Sequence, residues 1–238
     1  MIPVAPGLWR LRSRIANVWL LQLSPPDSPK GGLALIDGGH PFERPNLVRQ
    51  LERDGLLPCV RALFFTHAHP DHVGCARWLQ TNYGIPLVSL NVEAPWLAGA
   101  VPPTPFHFRR LGLLSGLVFG AAYRLCPMQR VFVDVCLGDG ESHLGMRAIA
   151  LPGHTPGSTA WLHEASGTLF CGDALLAARP PWTFEQGLHL PEPAYCTNPT
   201  QAVASLQRLS RLSFDVLCSG HGDPIGKGAD RLVREFLA

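Results

Sequence analysis

Ala62-Leu63-Phe64-Phe65-Thr66-His67-Ala68-His69-Pro70-Asp71-His72 is the stretch that decides the fold. An apolar run of strand length delivers three imidazoles and a carboxylate into a turn marked by Pro70. In an extended segment residues 67, 69 and 71 point the same way, and the turn after Pro70 puts His72 on another axis. One metal ion can take His67 and His69 while a neighbour takes Asp71 and His72. The rest of both ligand sets has to come from elsewhere in the chain.

Three later apolar runs end in the same manner. Residues 146–151 lead into Pro152-Gly153-His154-Thr155-Pro156-Gly157, residues 168–171 into Gly172-Asp173, and residues 215–218 into Ser219-Gly220-His221-Gly222-Asp223. Ligands at strand ends are held by a sheet yet stay accessible at its rim, as a metal site that admits substrate requires. His154 completes the first site, His221 the second, and Asp173 bridges them. Each of these residues alone reads as a surface histidine or a turn cap, and Asp223 before Pro224 keeps that plainer reading. The compact cluster followed by three strand-end ligands does not. His40, His107, His143, His163 and His189 lack the context and read as structural or exposed, His40 and His189 being the two to look for near a pocket.

Outward from these motifs, the pattern alternates strands and helices. Strands are expected at 15–21, 33–36, 85–90, 131–133 and 159–162, besides those already named, with a turn-rich connection at 24–32. Residues 45–53 and a segment after His72, stopped by Gly84, read as helices. Asn198 and Pro199 open another, with an apolar stripe of Ala202, Val203, Leu206, Leu209 and Leu212, and a short helix follows from about Ala229. Residues 91–128 are proline-broken and then apolar, which suggests a helical insertion serving as core or as pocket wall. The loop 179–196 holds Trp182, Phe184, His189 and Tyr195, the candidates for a substrate pocket.

A chain of 238 residues can bury its own core, and one α/β domain over 1–238 is expected. Its net charge of +2 and lack of a Lys/Arg run argue against a nucleic-acid partner. Seven cysteines without C-x-x-C spacing imply neither a disulfide framework nor a cysteine zinc knuckle. The N-terminus lacks the basic start and apolar core of a signal peptide, and residues 111–122 are too short to span a bilayer. A cytoplasmic protein acting on a small molecule, with no membrane partner and an open oligomeric state, is the expectation.

In order along the chain, T-H-A-H-P-D-H, L-P-G-H-T-P-G-S, C-G-D-A-L and S-G-H-G-D-P resemble the motifs of the metallo-β-lactamase superfamily over residues 33–224. The resemblance implies an αββα sandwich with two metals at one edge. It assigns His67, His69, His154 and Asp173 to one metal and Asp71, His72, His221 and Asp173 to the other. Glyoxalase II-like hydrolases are the nearer likeness, because Asp173 stands where some β-lactamases of the family carry a cysteine. Glyoxalase II continues into a helical region that binds glutathione, whereas this chain runs 17 residues past His221, so another substrate is expected. The chemistry implied is hydrolysis of an ester, thioester or lactone by a hydroxide bridging two divalent ions. Asp71 orients that hydroxide or shuttles its proton. Zinc suits the donors, and iron or manganese fits them as well. The alternatives are β-lactam hydrolysis and a mononuclear iron persulfide dioxygenase.

Overall fold

Strands that are apolar on both faces need cover on both sides, and the chain provides it in four layers. The computed structural model describes residues 1–25, 27–101, 107, 113–125, 129–178 and 185–238. The first sheet holds, in spatial order, β1 (Ile2–Ala5), β2 (Leu8–Arg10), β3 (Trp19–Leu23), β4 (Gly32–Ile36), β5 (Val60–Phe64), β6 (Leu87–Leu90) and β7 (Val135–Leu137). β1 to β4 form an antiparallel meander, and β4 to β7 are parallel. The second sheet draws on β8 (Ser142–His143), β9 (Met146–Ala150), β10 (Thr159–His163) and β11 (Thr168–Gly172). A separate hairpin, β12 (Leu176–Ala178) and β13 (Gln186–His189), precedes β14 (Val216–Ser219), which joins β11 in parallel to give the order β14-β11-β10-β9-β8.

The period of two along each strand divides the core. On β4, Leu33 and Leu35 face outward and pack with Leu47 and Leu51 of α1 (Arg44–Arg53). Val73 of α2 (Pro70–Val73) and Leu79 of α3 (Ala76–Tyr83) lie in the same layer. Ala34 and Ile36 face the other way, into a middle layer with Trp19, Phe64, Met146, Trp161 and Phe170. Phe64 and Trp161 meet edge to face across the sandwich at 5.1 Å, a geometry worth about 0.5–1.5 kcal/mol beyond the buried area. The Trp161 indole donates to the Phe65 carbonyl at 2.8 Å, so the sheets are pinned directly below the metal-seeking loop.

Between β6 and β7 the chain forms α4 (Ala94–Leu97) and α5 (Leu113–Leu125), the described part of the expected insertion. Beyond the second sheet, α6 (Pro199–Ser205), a 3-10 continuation over Leu206–Arg211, and α7 (Ala229–Leu237) close the fourth layer. The expected αββα sandwich is therefore present, with three local corrections. Residues 131–133 are not a strand: Val131 N donates to Leu97 O and Asp134 accepts from Leu87 N, so pairing with β6 begins only at Val135. Val203 is exposed, because Ala202, Leu206 and Leu209 form the buried stripe at i, i+4 and i+7 and Val203 lies about 100° around the helix from Ala202. The loop 179–196 contains β13, whose partner β12 lies just before it.

Candidate metal centre

Each chemistry-bearing loop leaves a strand at the same edge of the sandwich, where open α/β sheets place their ligands. Residues 66–72 follow β5, residues 151–158 join β9 to β10, Asp173 follows β11, and residues 220–223 follow β14. Thr159 N donates to Thr66 O at 2.8 Å, tying the loops from the two sheets together at their base.

His67, His69 and His154 bring one nitrogen each to a common point. His67 Nε2 and His154 Nε2 each lie 3.0 Å from His69 Nδ1. Tetrahedral ligation at 2.0–2.1 Å places donors roughly 3.3 Å apart, so the spacing is that of a metal face. Burial holds the pKa of His67 and His69 well below the ordinary value, and neighbouring imidazoles reinforce the effect. Burial likewise lowers His154 to about 4, although Asp173 opposes it. Neutral imidazoles pointing lone pairs at one another are costly unless a cation sits among them.

Hydrogen bonds to the far side of the rings fix which nitrogen is available. Asp37 Oδ2 accepts the Thr66 hydroxyl at 2.8 Å, which leaves Thr66 Oγ1 to accept from His67 Nδ1 at 3.0 Å. The His67 proton is thus on Nδ1, and Nε2 faces the centre with a lone pair. Asp37 Oδ2 also accepts from His72 Nδ1 at 2.8 Å, so His72 Nε2 is the inward atom of that ring.

The second half is charged. Asp173 stands between the two halves, with Oδ1 3.5 Å from His72 Nε2 and Oδ2 3.3 Å from His221 Nε2 and 3.8 Å from His154 Nε2. Asp71 Oδ2 is 3.5 Å from His221 Nε2 and 3.8 Å from His72 Nε2. Burial alone would lower both histidines, yet Asp173, Asp37 and Asp71 raise His72, and Asp173 with Asp71 raises His221 to about 10. Burial pushes against the two acids in turn, but the imidazoles hold Asp71 and Asp173 below the usual carboxylate range. His72 Nε2 and Asp173 Oδ1 are buried and make no hydrogen bond among the described residues. Such atoms, in a set of five imidazoles and two carboxylates, fit divalent metal. Asp71 has 24% of its side chain exposed and His221 12%, against 3% for His154, so the centre opens to solvent on the Asp71 side.

All seven residues expected as ligands therefore meet in one cluster, whose possible metal-holding triads among the described residues are His67/His69/His154, His67/His72/Asp173 and Asp71/His72/His221. Gly220 is required by it, since a Cβ there would collide with Asp173 Oδ1 and His72 Cε1. Of the expected pocket residues, Trp182 and Phe184 lie outside the described ones. Tyr195 is near enough to the acids to feel them: burial, then Glu192, Asp71 and Asp173, push its hydroxyl up to about 12. His189 sits on β13 and donates through Nε2 to Glu185 O. His40 packs on Phe42 at 4.9 Å, and burial lowers its pKa although Asp71 and Glu43 raise it.

Several functional positions are not evident from motif reading. Asp37 is buried at the end of β4, adopts φ 61°, and accepts from Thr66 N as well as from Thr66 Oγ1 and His72. Its signal was present as an Asp-Gly-Gly at a strand end. Asn17 holds the His221 loop, its backbone N–H donating to Gly220 O and its side chain to Ser219 O and Gly222 O. Asp223 does not cap the next turn but pairs with Arg10 at 2.9 Å, on the outside of the same loop. Cys196 Sγ lies 3.6 Å from His154 Nδ1.

Residues 11–221 match the model of the metallo-beta-lactamase superfamily. "Probable metallo-hydrolase YflN" of Bacillus subtilis is 30% identical, over 93% of this chain and 86% of its own length. Hydroxyacylglutathione hydrolase GloC of Haemophilus influenzae is 26% identical over 86% of both chains. Among solved structures, TTHA1623 in a di-iron-bound form superposes with a TM-score of 0.60 at 25% identity, covering 93% of this chain and 94% of that one.

Proposed function

The chain belongs to the metallo-β-lactamase superfamily and is a metal-dependent hydrolase of it, and on that premise we propose that it cleaves an ester, thioester or lactone of a small molecule with two divalent ions. The observation that carries this reading is the division of one cluster into a neutral three-histidine half and an acid-paired half, joined by Asp173. His67, His69, His154 and Asp173 would hold one ion and Asp71, His72, His221 and Asp173 the other. Bound there, the pair would lower the pKa of water from about 16 to roughly 7 and polarise the scissile carbonyl.

The chain's own residues do the rest. Asp173 fixes the spacing of the two halves through its separate oxygens. Asp37 keeps His72 Nε2 directed inward by accepting the proton on Nδ1. Asp71 is the acid most open to solvent, and its carboxylate takes the proton of the attacking water and returns it to the leaving group. Tyr195 stands at the rim on the segment braced to the His154 loop, where Thr197 N donates to His154 O and Asn198 N to Gly153 O. It would therefore contact the acyl portion of the substrate. GloC is named for hydrolysis of an acylglutathione, a thioester, which supports the acyl class.

Zinc suits the mixed donors, and the di-iron form of TTHA1623 supports iron as the competing occupant. Elemental analysis of protein as isolated, followed by lactone, thioester and β-lactam panels with oxygen uptake monitored, tests the proposal. Two ions per chain and acyl hydrolysis lost in His67→Ala and Asp173→Ala are expected. One iron with oxygen consumption, or full activity in either variant, would overturn it.

A further inference from the structure

Glu93 is a second buried acid that serves the cluster without touching it. It follows β6 at the start of α4, is 1% exposed, and makes no ion pair among the described residues. Oε1 accepts the Ala68 N–H at 2.6 Å, and Oε2 accepts the Gly157 N–H at 2.8 Å. Burial raises the Glu93 pKa, and the nearby Thr155 side chain opposes that rise together with the two N–H groups. Ala68 is the residue between His67 and His69, and Thr155 and Gly157 belong to the turn that carries His154. One carboxylate thus grips the two loops that supply the three neutral imidazoles, and those loops come from different sheets of the sandwich.

The neighbouring residues fit this function in detail. Among the described residues both groups hydrogen-bonded to the carboxylate are N–H donors, which suits the ionised form. Gly157 leaves room for it: a Cβ there would sit 2.5 Å from Glu93 N and 2.7 Å from Oε2. Ser158 Oγ accepts from Thr155 N at 2.8 Å and lies 2.8 Å from Thr155 Oγ1, holding the threonine in place. The T-P-G-S that follows His154 therefore contributes no ligand of its own and builds the socket for an acid from another strand.

We propose that Glu93 is a positioning residue that sets the distance between the H-x-H turn and the His154 turn, and that its buried negative charge favours cation binding among the three imidazoles. An amide cannot replace it. Glutamine offers one acceptor oxygen to two N–H groups, and its NH2 would face one of them. Partners behind metal ligands, when removed, typically cost about 10–100-fold in metal affinity.

The proposal rests on the two-metal reading above, and its test separates the two. Zinc affinity is measured on the full chain by competition with a chromophoric chelator, for the wild type, Glu93→Gln and Thr155→Val, alongside unfolding of the metal-free proteins. The expected result is about 10–100-fold weaker zinc binding in Glu93→Gln and a smaller loss in Thr155→Val. Cobalt-substituted Glu93→Gln should also show altered d–d absorption, which a purely structural defect elsewhere would leave alone. If Glu93→Gln unfolds, Thr155→Val decides: weakened zinc binding supports the clamp and wild-type binding overturns it. Lower stability of the metal-free Glu93→Gln protein with unchanged zinc affinity and cobalt spectrum likewise overturns it. A wild-type protein that binds no zinc, iron or manganese sinks the metal-centre reading itself, whereas equal binding by wild type and both variants sinks only the clamp.

Discussion

Asp37→Asn isolates the steering of a ligand from ligation itself. Asparagine tolerates the left-handed backbone that Asp37 adopts at φ 61°, so the change adds no strain there. Its carbonyl can keep the bond to Thr66 N that Asp37 Oδ1 now makes at 2.8 Å. The other oxygen becomes an NH2 group facing Thr66 Oγ1 and His72 Nδ1, both now donors at 2.8 Å. The hydroxyl can rotate, but the imidazole has to move its proton to Nε2, the atom directed at Asp173 and Asp71. At least one buried, charge-assisted hydrogen bond is lost, about 1.5–3 kcal/mol. For a chain of this size each kcal/mol moves Tm by roughly 2–4 °C, so a fall of about 3–12 °C is expected. Metal binding at the His72 half should weaken about 10–100-fold while the His67/His69/His154 half stays loaded. Elemental analysis after dialysis against graded chelator, with differential scanning calorimetry on the same samples, reads both effects. Should Asp37→Asn retain two ions as tightly as the wild type while its Tm falls, the assignment of Asp37 as the group that orients His72 is wrong.

Three further outcomes follow from the same geometry. Burial lowers His221, but Asp173 and Asp71 raise it to about 10, and His72 is raised as well, so both must shed a proton before they can ligate. Affinity at that half should rise with pH across about 6–9 and stay flat at the neutral three-histidine half. Titration calorimetry in buffers of different ionisation enthalpy would read release of about two protons, and none released would refute it. Asn17→Ala leaves the carbonyls of Ser219 and Gly222 with only the longer bonds from Trp19 Nε1 and Arg10, costing about 1–3 kcal/mol for the two lost bonds and loosening the His221 loop. Urea unfolding checks the first effect and metal retention the second. Gly220→Ala drives a Cβ into Asp173 and His72, whereas Gly226→Ala meets nothing within 4 Å. The former should lose metal and activity and the latter should match the wild type in both, as elemental analysis and turnover will show.

What could be read from the chain and what could not divide along a physical line. The seven candidate ligands sit where apolar strands give way to turns marked by Pro70 or by the glycines beside His154, Asp173 and His221, a pattern carried by consecutive residues, and the same pattern placed β5, β9, β11 and β14. The strand at 135–137 escaped because its pairing depends on Val88, Ser89 and Leu90 of β6, distant in sequence, and the β12 and β13 strands are too short to show a periodicity of their own. The acids behind the ligands are harder still. Asp37 reaches His72 across 35 residues and Glu93 reaches Gly157 across 64, and an aspartate in Asp-Gly-Gly or a glutamate before a short helix has an ordinary turn or cap reading. Only the parallel pairing of β4 with β5 and the β6 exit toward the same edge bring them behind the imidazoles. What they share, and what turn or cap residues lack, is complete burial among donors. Glu93, which makes no ion pair among the described residues and is held by backbone N–H groups of loops that carry histidines, is stable where a cation lies just beyond those histidines. The burial of Glu93 and the convergence of His67, His69 and His154 are thus two consequences of one charge balance, and removing either should expose the other as a metal-affinity defect.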